Sequence, residues 1–382
     1  MRILIAAPVP REREGGVSNV VHNMAEGLRG RGHEVTCVFN EDILTRPGGS
    51  ARFGSARFAV RLAQEISKRQ SEFDVVNIHA PAGFAYGILR RWRRASSLPP
   101  CVMLLHGIEE RRTHAMLREA RKGRAWHFRW KNRAWRRLYH LPQYRWSMMT
   151  ADQSIVINRE TWSMLQLKYN LDAERVWYIP NGVEPRYFVP REYREGPALR
   201  LLFVGTWLDH KGVYYLRDGF EKLVQRLPEL RLTIAGSRLD EESIRDWFSP
   251  AARDRVDILP FVPTTEMPAL YQKHDIFVLP SLMEGLPVVL LEAMAGGMPV
   301  VSTETCGMMD MIEDGYNGLL AKPADTDGLV EAIERMVESR ELRWRLGCAA
   351  KKTMERQTWE QVAVKLEKVF ALAAAEGKIR GD

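Results

Sequence analysis

The sequence predicts an α/β protein of two doubly wound domains in tandem, and three observations predict it. Contiguous apolar runs rich in Val, Ile and Leu recur through both halves of the 382 residues, as in parallel strands buried on both faces. Stretches of helical period separate these runs, so each half alternates strand with helix. Between the halves, residues 181–200 are crowded with proline and charge and have no period, which reads as an interdomain linker. An apolar fraction of 45% and a charged fraction of 27% belong to a soluble globular chain with core enough for two domains.

The first strand is residues 3–8. A signal peptide is the competing reading, but the apolar run is short and meets Arg11, Glu12, Arg13 and Glu14 at once. No uncharged apolar run approaches the ~18–20 residues a membrane span needs. Gly15-Gly16 then precede Val17, Val20, Val21, Met24 and Leu28, which have helical period. Gly30 and Gly32 close that helix, and residues 33–39 supply the next strand of a βαβ unit. A glycine turn of this kind commonly cradles phosphate, but the three-glycine dinucleotide fingerprint is absent, which argues against a nicotinamide cofactor. Further strands fall at 73–79, 101–106, 154–158 and 176–179. His106-Gly107 follows a strand's carboxyl end, where open α/β sheets bind ligands; a lone histidine there is otherwise most often a hydrogen-bonded loop residue. The second half repeats the alternation with strands at 199–205, 230–236, 256–262, 275–281, 298–304 and 318–323. Near the end, Trp359, Val362, Leu366, Val369 and Phe370 line one face of a last helix.

Residues 275–301 organise the rest as a strand, an acidic turn and a short helix. Pro287 suits the first helical position, and Gly296-Gly297 stop the helix. Ser281, Glu284 and Gly285 lie in the turn, so free backbone N–H groups stand beside a carboxylate, a site for an anionic ligand that also carries hydroxyls. Glu292, inside the helix, is expected to set a second carboxylate above the same crevice. A bare glutamate pair at this spacing is ordinarily a solvated helix face. The string EGLPVVLLEAMAGGMPVV (284–301) is far more specific than that pair. It resembles the signature of the retaining nucleotide-sugar glycosyltransferases of glycosyltransferase family 4.

That resemblance implies the GT-B architecture: two facing Rossmann-like domains with a cleft between them. The domains expected are 1–185 for the acceptor, 198–357 for the donor, and a helix at 358–382 crossing back to the first. GGVSNVVHNMAEGLRGRGHEVTCV (15–38) resembles the family's first motif, which implies that Gly16 lies against the donor diphosphate. His106 matches the position beside the transferred sugar. Residues 205–212 resemble the loop whose Arg and Lys neutralise the diphosphate; Lys211 matches, whereas Thr206 stands where the arginine would be. By the same analogy Glu284, with the N–H groups from Gly285 through Leu286 to Val288, holds sugar hydroxyls, Glu292 holds the ribose, and Val262 contacts the base. The activity implied is retaining, metal-independent transfer from a nucleotide diphosphate sugar. The acceptor expected is a lipid-linked or envelope glycan, and no separate cofactor is implied. The front-face path, in which the leaving phosphate takes the acceptor proton, fits better than a covalent glutamyl intermediate.

Charge is uneven along the chain. Residues 111–146 hold twelve Lys or Arg against one acidic residue, Glu119, interleaved with Trp126, Trp130, Trp135, Tyr139 and Trp146. Since the whole chain carries only +8, the remainder is slightly acidic and the basicity is local. Trp126, Trp130, Ala134 and Leu138 recur every fourth residue, predicting a basic, aromatic helix suited to an anionic membrane surface; a packed stripe with a solvated basic face is the plainer alternative. A nucleic-acid-binding protein, a membrane scaffold and a sugar-nucleotide epimerase are rival readings. Each leaves the Glu284–Glu292 frame unexplained or requires a different one, so no nucleic-acid partner is expected. Cys37, Cys101, Cys306 and Cys348 are scattered, and neither they nor the nine histidines show metal-ligand spacing. Free thiols, no metal, and a cytoplasmic protein, free or peripheral on the inner membrane face, are the expectation.

Overall fold

The computed structural model describes residues 1–13, 15–44, 54–93, 98–124 and 134–379. The chain divides into two compact units. Unit 1 is Met1–Glu110, Trp130–Asn181 and Trp359–Asp382; unit 2 is Arg111–Arg129 and Gly182–Thr358. Each is built on six parallel strands with helices between, so both are Rossmann-like.

In unit 1 the strands are β1 (Arg2–Ala6), β2 (Glu34–Val38), β3 (Val75–His79), β4 (Cys101–Leu105), β5 (Gln153–Val156) and β6 (Val176–Tyr178), in the order β2-β1-β3-β4-β5-β6. β3 and β4 are buried at every residue; in β4 the run is apolar throughout, whereas β3 buries the polar Asn77 and His79 as well. Helix α1 (Gly16–Gly30) follows β1. Three further helices, α2 (Gly54–Lys68), α3 (Phe84–Trp92) and α5 (Leu141–Thr150), cover one sheet face, where Phe58, Leu62, Tyr86 and Met148 share a core with Val76, Ile78 and Met103. Between α3 and α5 comes α4 (Glu109–Arg121), and α6 (Arg159–Leu167) follows β5.

Unit 2 has β7 (Arg200–Val204), α7 (Val213–Arg226), β8 (Arg231–Ala235), β9 (Val256–Leu259), α8 (Met267–Lys273), β10 (Ile276–Leu279), α9 (Val288–Ala295), β11 (Val300–Thr303), β12 (Leu319–Ala321), α10 (Thr326–Glu338) and α11 (Arg340–Met354). Its strand order is β12-β11-β10-β7-β8-β9. The last helix, α12 (Trp359–Ile379), returns to unit 1 and packs along α1. There Gly27 leaves room for it, since a Cβ on Gly27 would lie 2.9 Å from the Ala363 Cβ.

Three expectations differ from what is found. Residues 181–200 are not a spacer: Tyr187 is buried, the Tyr193 hydroxyl donates to the Gly297 carbonyl at 2.7 Å, and the Arg191 guanidinium donates to the Tyr271 carbonyl at 3.0 Å, so from Gly182 on this segment is part of unit 2. Arg111–Arg129 also falls with unit 2 rather than with the first half. Here Met116 packs with Tyr215 and Leu282, and the buried Glu119 carboxylate accepts from the Tyr215 hydroxyl at 2.7 Å. The Trp126 and Trp130 end of the aromatic stripe lies outside the described residues; beyond it the backbone is π-helical at Arg136–His140, which breaks the four-residue repeat at Leu138.

Candidate functional site

In an open parallel sheet, ligands gather at the carboxyl ends of the strands where the strand order reverses. In unit 2 that point lies between β7 and β10. The loop after β7 runs through Gly205, Thr206 and a single 3-10 turn, Asp209–Lys211, to Gly212. The loop after β10 carries Ser281 to Pro287. Backbone bonds join the two: the Leu282 N–H donates to the His210 carbonyl at 2.8 Å. Gly212 is held at φ +72, and a Cβ there would lie 1.9 Å from the Pro280 carbonyl oxygen, so only glycine fits. This fit brings the Lys211 ammonium to 2.5 Å from a Glu284 carboxylate oxygen, both groups largely shielded from solvent.

Glu284 stands just ahead of α9. Pro287 is the cap, with φ −71 and ψ 120, one place earlier than expected, and the helix begins at Val288. The first-turn N–H groups of α9 therefore follow directly on the Lys211–Glu284 pair, and helix-start donors favour negative charge. Gly285 is held from behind, its carbonyl accepting from the Gly307 N–H at 3.0 Å.

Glu292 differs from Glu284 in kind. It is buried rather than poised above an open crevice, and one oxygen accepts from the Tyr271 hydroxyl at 2.8 Å. Burial pushes its carboxyl up to about 7, with the Tyr271 and Tyr187 hydroxyls pulling the other way. Of the remaining expected residues in unit 2, Thr206 and Val262 are partly exposed in the loops after β7 and β9. Beside Val262, Phe261 has the Arg238 guanidinium 5.6 Å from its ring centroid. Thr206 stands where an arginine was expected, and the same loop is met at His210 by Arg112, carried on α4, with a guanidinium nitrogen 3.3 Å from the His210 Nδ1.

Two expected residues belong to unit 1, on its own sheet. Gly16 opens α1, and a Cβ on it would meet nothing within 4 Å, so the backbone can be approached closely. His106 follows β4, with Nε2 2.9 Å from Nδ1 of His79, which ends the neighbouring β3 and is fully buried. Burial holds both imidazoles below their ordinary value, His106 at about 4, so the pair is neutral near pH 7.

Sequence reasoning missed His79, Tyr187, Tyr271 and Arg112. For His79 a signal was present: Asn77 and His79 are polar residues on alternate positions of an otherwise apolar strand, so both fall on one face. The others come from segments with no motif of their own.

The family model described as "Glycosyltransferase Family 4" matches residues 14–187, and the model described as "Glycosyl transferases group 1" matches residues 191–353. The chain belongs to the family 4 glycosyltransferases. A relative of this glycosyltransferase, the phosphatidyl-myo-inositol mannosyltransferase of Mycolicibacterium smegmatis, is 25% identical to it over 99% of this chain and 95% of its own length. Among solved structures, a sucrose-phosphate synthase of Thermosynechococcus elongatus aligns over 98% of this chain and 100% of its own, with a TM-score of 0.79 at 16% identity. The Anabaena protein HepE, solved with UDP and glucose, aligns over 97% of this chain and 100% of its own, with a TM-score of 0.71 at 17% identity. Both neighbours share the GT-B fold.

Proposed function

We propose that this glycosyltransferase moves a sugar from a nucleotide diphosphate sugar to a lipid-linked or envelope glycan acceptor, retaining the anomeric configuration and using no metal. The observation that carries the reading is the Lys211–Glu284 pair at the strand-order reversal of unit 2, directly before α9. A cation, a carboxylate and helix-start donors together match the two halves of such a donor, its charged diphosphate and its sugar hydroxyls. Glu284 and the N–H groups through Val288 hold the hydroxyls, Glu292 the ribose, and the backbone at Val262 the base.

As the sugar leaves, charge grows on the departing diphosphate. Lys211 and the α9 N–H groups stabilise that charge in a site already organised to receive it. Arg112 takes the place of the arginine that Thr206 replaces. The acceptor attacks on the face the leaving group vacates, and the leaving phosphate oxygen takes its proton. HepE's UDP makes a uridine donor the first to try, and the mannosyltransferase relative supports a phospholipid-borne acceptor. Proton NMR of the product tests the stereochemistry: an α-configured donor is expected to give an α-linked product, and a β-linked one would overturn retention. Full activity in excess EDTA is expected; its loss, restored by a divalent cation, would overturn the metal-independent route.

A further inference from the structure

The outer face of the α2, α3 and α5 layer in unit 1 does not behave as an ordinary solvated surface. Val60 on α2, Ile88 and Trp92 on α3, and Trp146 and Met149 on α5 are exposed, Trp92 by 87% and Trp146 by 47%. They make up five of the thirteen large apolar side chains exposed among the described residues. The three helices are neighbours: α3 touches both α2 and α5, and all three share one core cluster against the same sheet face. Their outward stripes therefore point the same way. Glycine brings α3 and α5 close enough for those stripes to merge, since a Cβ on Gly87 would lie 1.8 Å from the Thr150 hydroxyl.

Between the apolar side chains stand Arg57 and Arg61 on α2, Arg91 on α3 and Arg145 on α5, all exposed. The three helices contain a single acidic residue, Glu65, and its carboxylate is already met by Lys68 at 2.8 Å. Arg90, which points inward, is paired with Asp152 and does not contribute to the face. No helix among the described residues is long and apolar enough to cross a membrane, so these apolar groups are not part of a span.

We propose that this three-helix face docks on an anionic phospholipid bilayer. The chemistry selects that partner. Indole rings prefer the headgroup level, where a flat apolar body and a polar N–H are both satisfied, and the arginines reach lipid phosphates while their stems stay in the apolar layer. A protein partner of the usual kind meets a contiguous apolar centre with a polar rim, whereas here arginines and apolar groups alternate across the face. The expected insert at 111–146 contributes less than its composition suggests, because residues 111–124 are packed on unit 2 through Met116 and Glu119. The inference rests on the lipid-linked acceptor for its purpose only; binding to the bilayer stands or falls on the face itself.

Full-length protein is to be sedimented with phosphatidylglycerol–phosphatidylcholine vesicles and with pure phosphatidylcholine vesicles, at ~0.1 M and ~0.5 M salt. Pelleting is expected with the anionic vesicles at low salt only. The set Arg57→Gln, Arg61→Gln, Arg91→Gln and Arg145→Gln should bind at least about tenfold more weakly. Trp92→Ser with Trp146→Ser should bind severalfold more weakly with all charges kept. Arg118→Gln with Arg121→Gln, on α4, should bind as wild type does. Circular dichroism and calorimetric titration with a nucleotide sugar accompany each variant, so a failed fold or donor site is told apart from lost docking. Equal pelleting on neutral vesicles, no pelleting at all, or loss that follows the α4 pair instead would overturn the proposal. So would self-association in sedimentation velocity that Trp92→Ser abolishes while vesicle binding is absent, which would make the face a protein interface.

Discussion

Glu292 shows how one side chain can serve two states of the protein. Its carboxyl is raised from 4.5 to about 7, so the folded chain holds a proton that the unfolded chain releases. The stability this contributes is complete below about pH 4.5 and is lost as pH rises through about 7. Glu292→Gln, which copies the protonated form, should therefore melt several degrees above wild type at pH 8 and level with it at pH 5, by calorimetry. Under the proposed ribose contact, donor affinity at pH 8, where the Glu292 carboxyl is ionised, should move the other way and fall in the same variant. The histidine pair has the opposite sign. Its depressed values keep both rings neutral, a contribution present above about pH 6.5 and lost as pH falls toward 4. The His79 Nε2 is fully buried and unpartnered among the described residues, and a bare lone pair is easier to bury than a bare N–H. The His79 proton accordingly sits on Nδ1 and is donated to His106 Nε2, leaving His106 to present an Nδ1–H. Nitrogen-15 shifts at pH 7 check this: a protonated Nε2 on His106 would refute it. Lys211→Ala should cost about 10²–10³ in kcat/KM, and Lys211→Arg less. Arg112→Ala should raise KM for the donor, and adding Thr206→Arg should restore it; no rescue would leave Arg112 with a merely structural part. That Lys211 and Glu284 meet was legible because a local string surrounds each, whereas the burial of Glu292 against Tyr271 was not. Tyr271 and Arg112 were not, since what places them is tertiary packing between segments far apart in the chain.

Among the elements, the strands were the easiest to read, because burial on both sheet faces demands an unbroken apolar run that no loop would carry. β9 stopped three residues early, at Leu259, where Pro260 cannot donate to the ladder. Helix α4 illustrates what periodicity leaves open. An amphipathic basic helix has the same spacing whether it covers a membrane or another part of its own chain, and only Glu119 and Met116 meeting Tyr215 decide the matter. Tyr215→Phe should leave the Glu119 carboxylate with one partner fewer and cost roughly 1–3 kcal/mol in unfolding free energy of unit 2, read from denaturant curves. The Gly212 turn is more exacting still. Gly212→Ala must move the Pro280 carbonyl as well as adopt a left-handed backbone, so it should disturb both loops of the donor site and lower donor affinity with little change in helical content.

For the whole molecule, alternation of strand and helix showed two sheets but not how the chain is shared between them. The division at Asn181 and the return of Trp359–Asp382 to unit 1 follow from contacts such as Ala363 on Gly27 and Glu367 with His33 at 2.8 Å. No local pattern encodes them, and the return near residue 358 was expected only through the family resemblance. A chain ending at residue 358 should therefore keep the cooperative melting of unit 2 while unit 1 loses protection in hydrogen exchange, most along α1; equal protection in both would show that α12 is dispensable.

The same return has a bearing on how the protein is made. Residues leave the ribosome in order, so unit 2 has all of its segments while unit 1, begun first, still waits for the helix that covers α1. Until Trp359–Ile379 has been made, the α1 surface around Gly27 lacks the helix that packs on it. The domain whose synthesis begins first is thus completed only after all the segments of the second have been made.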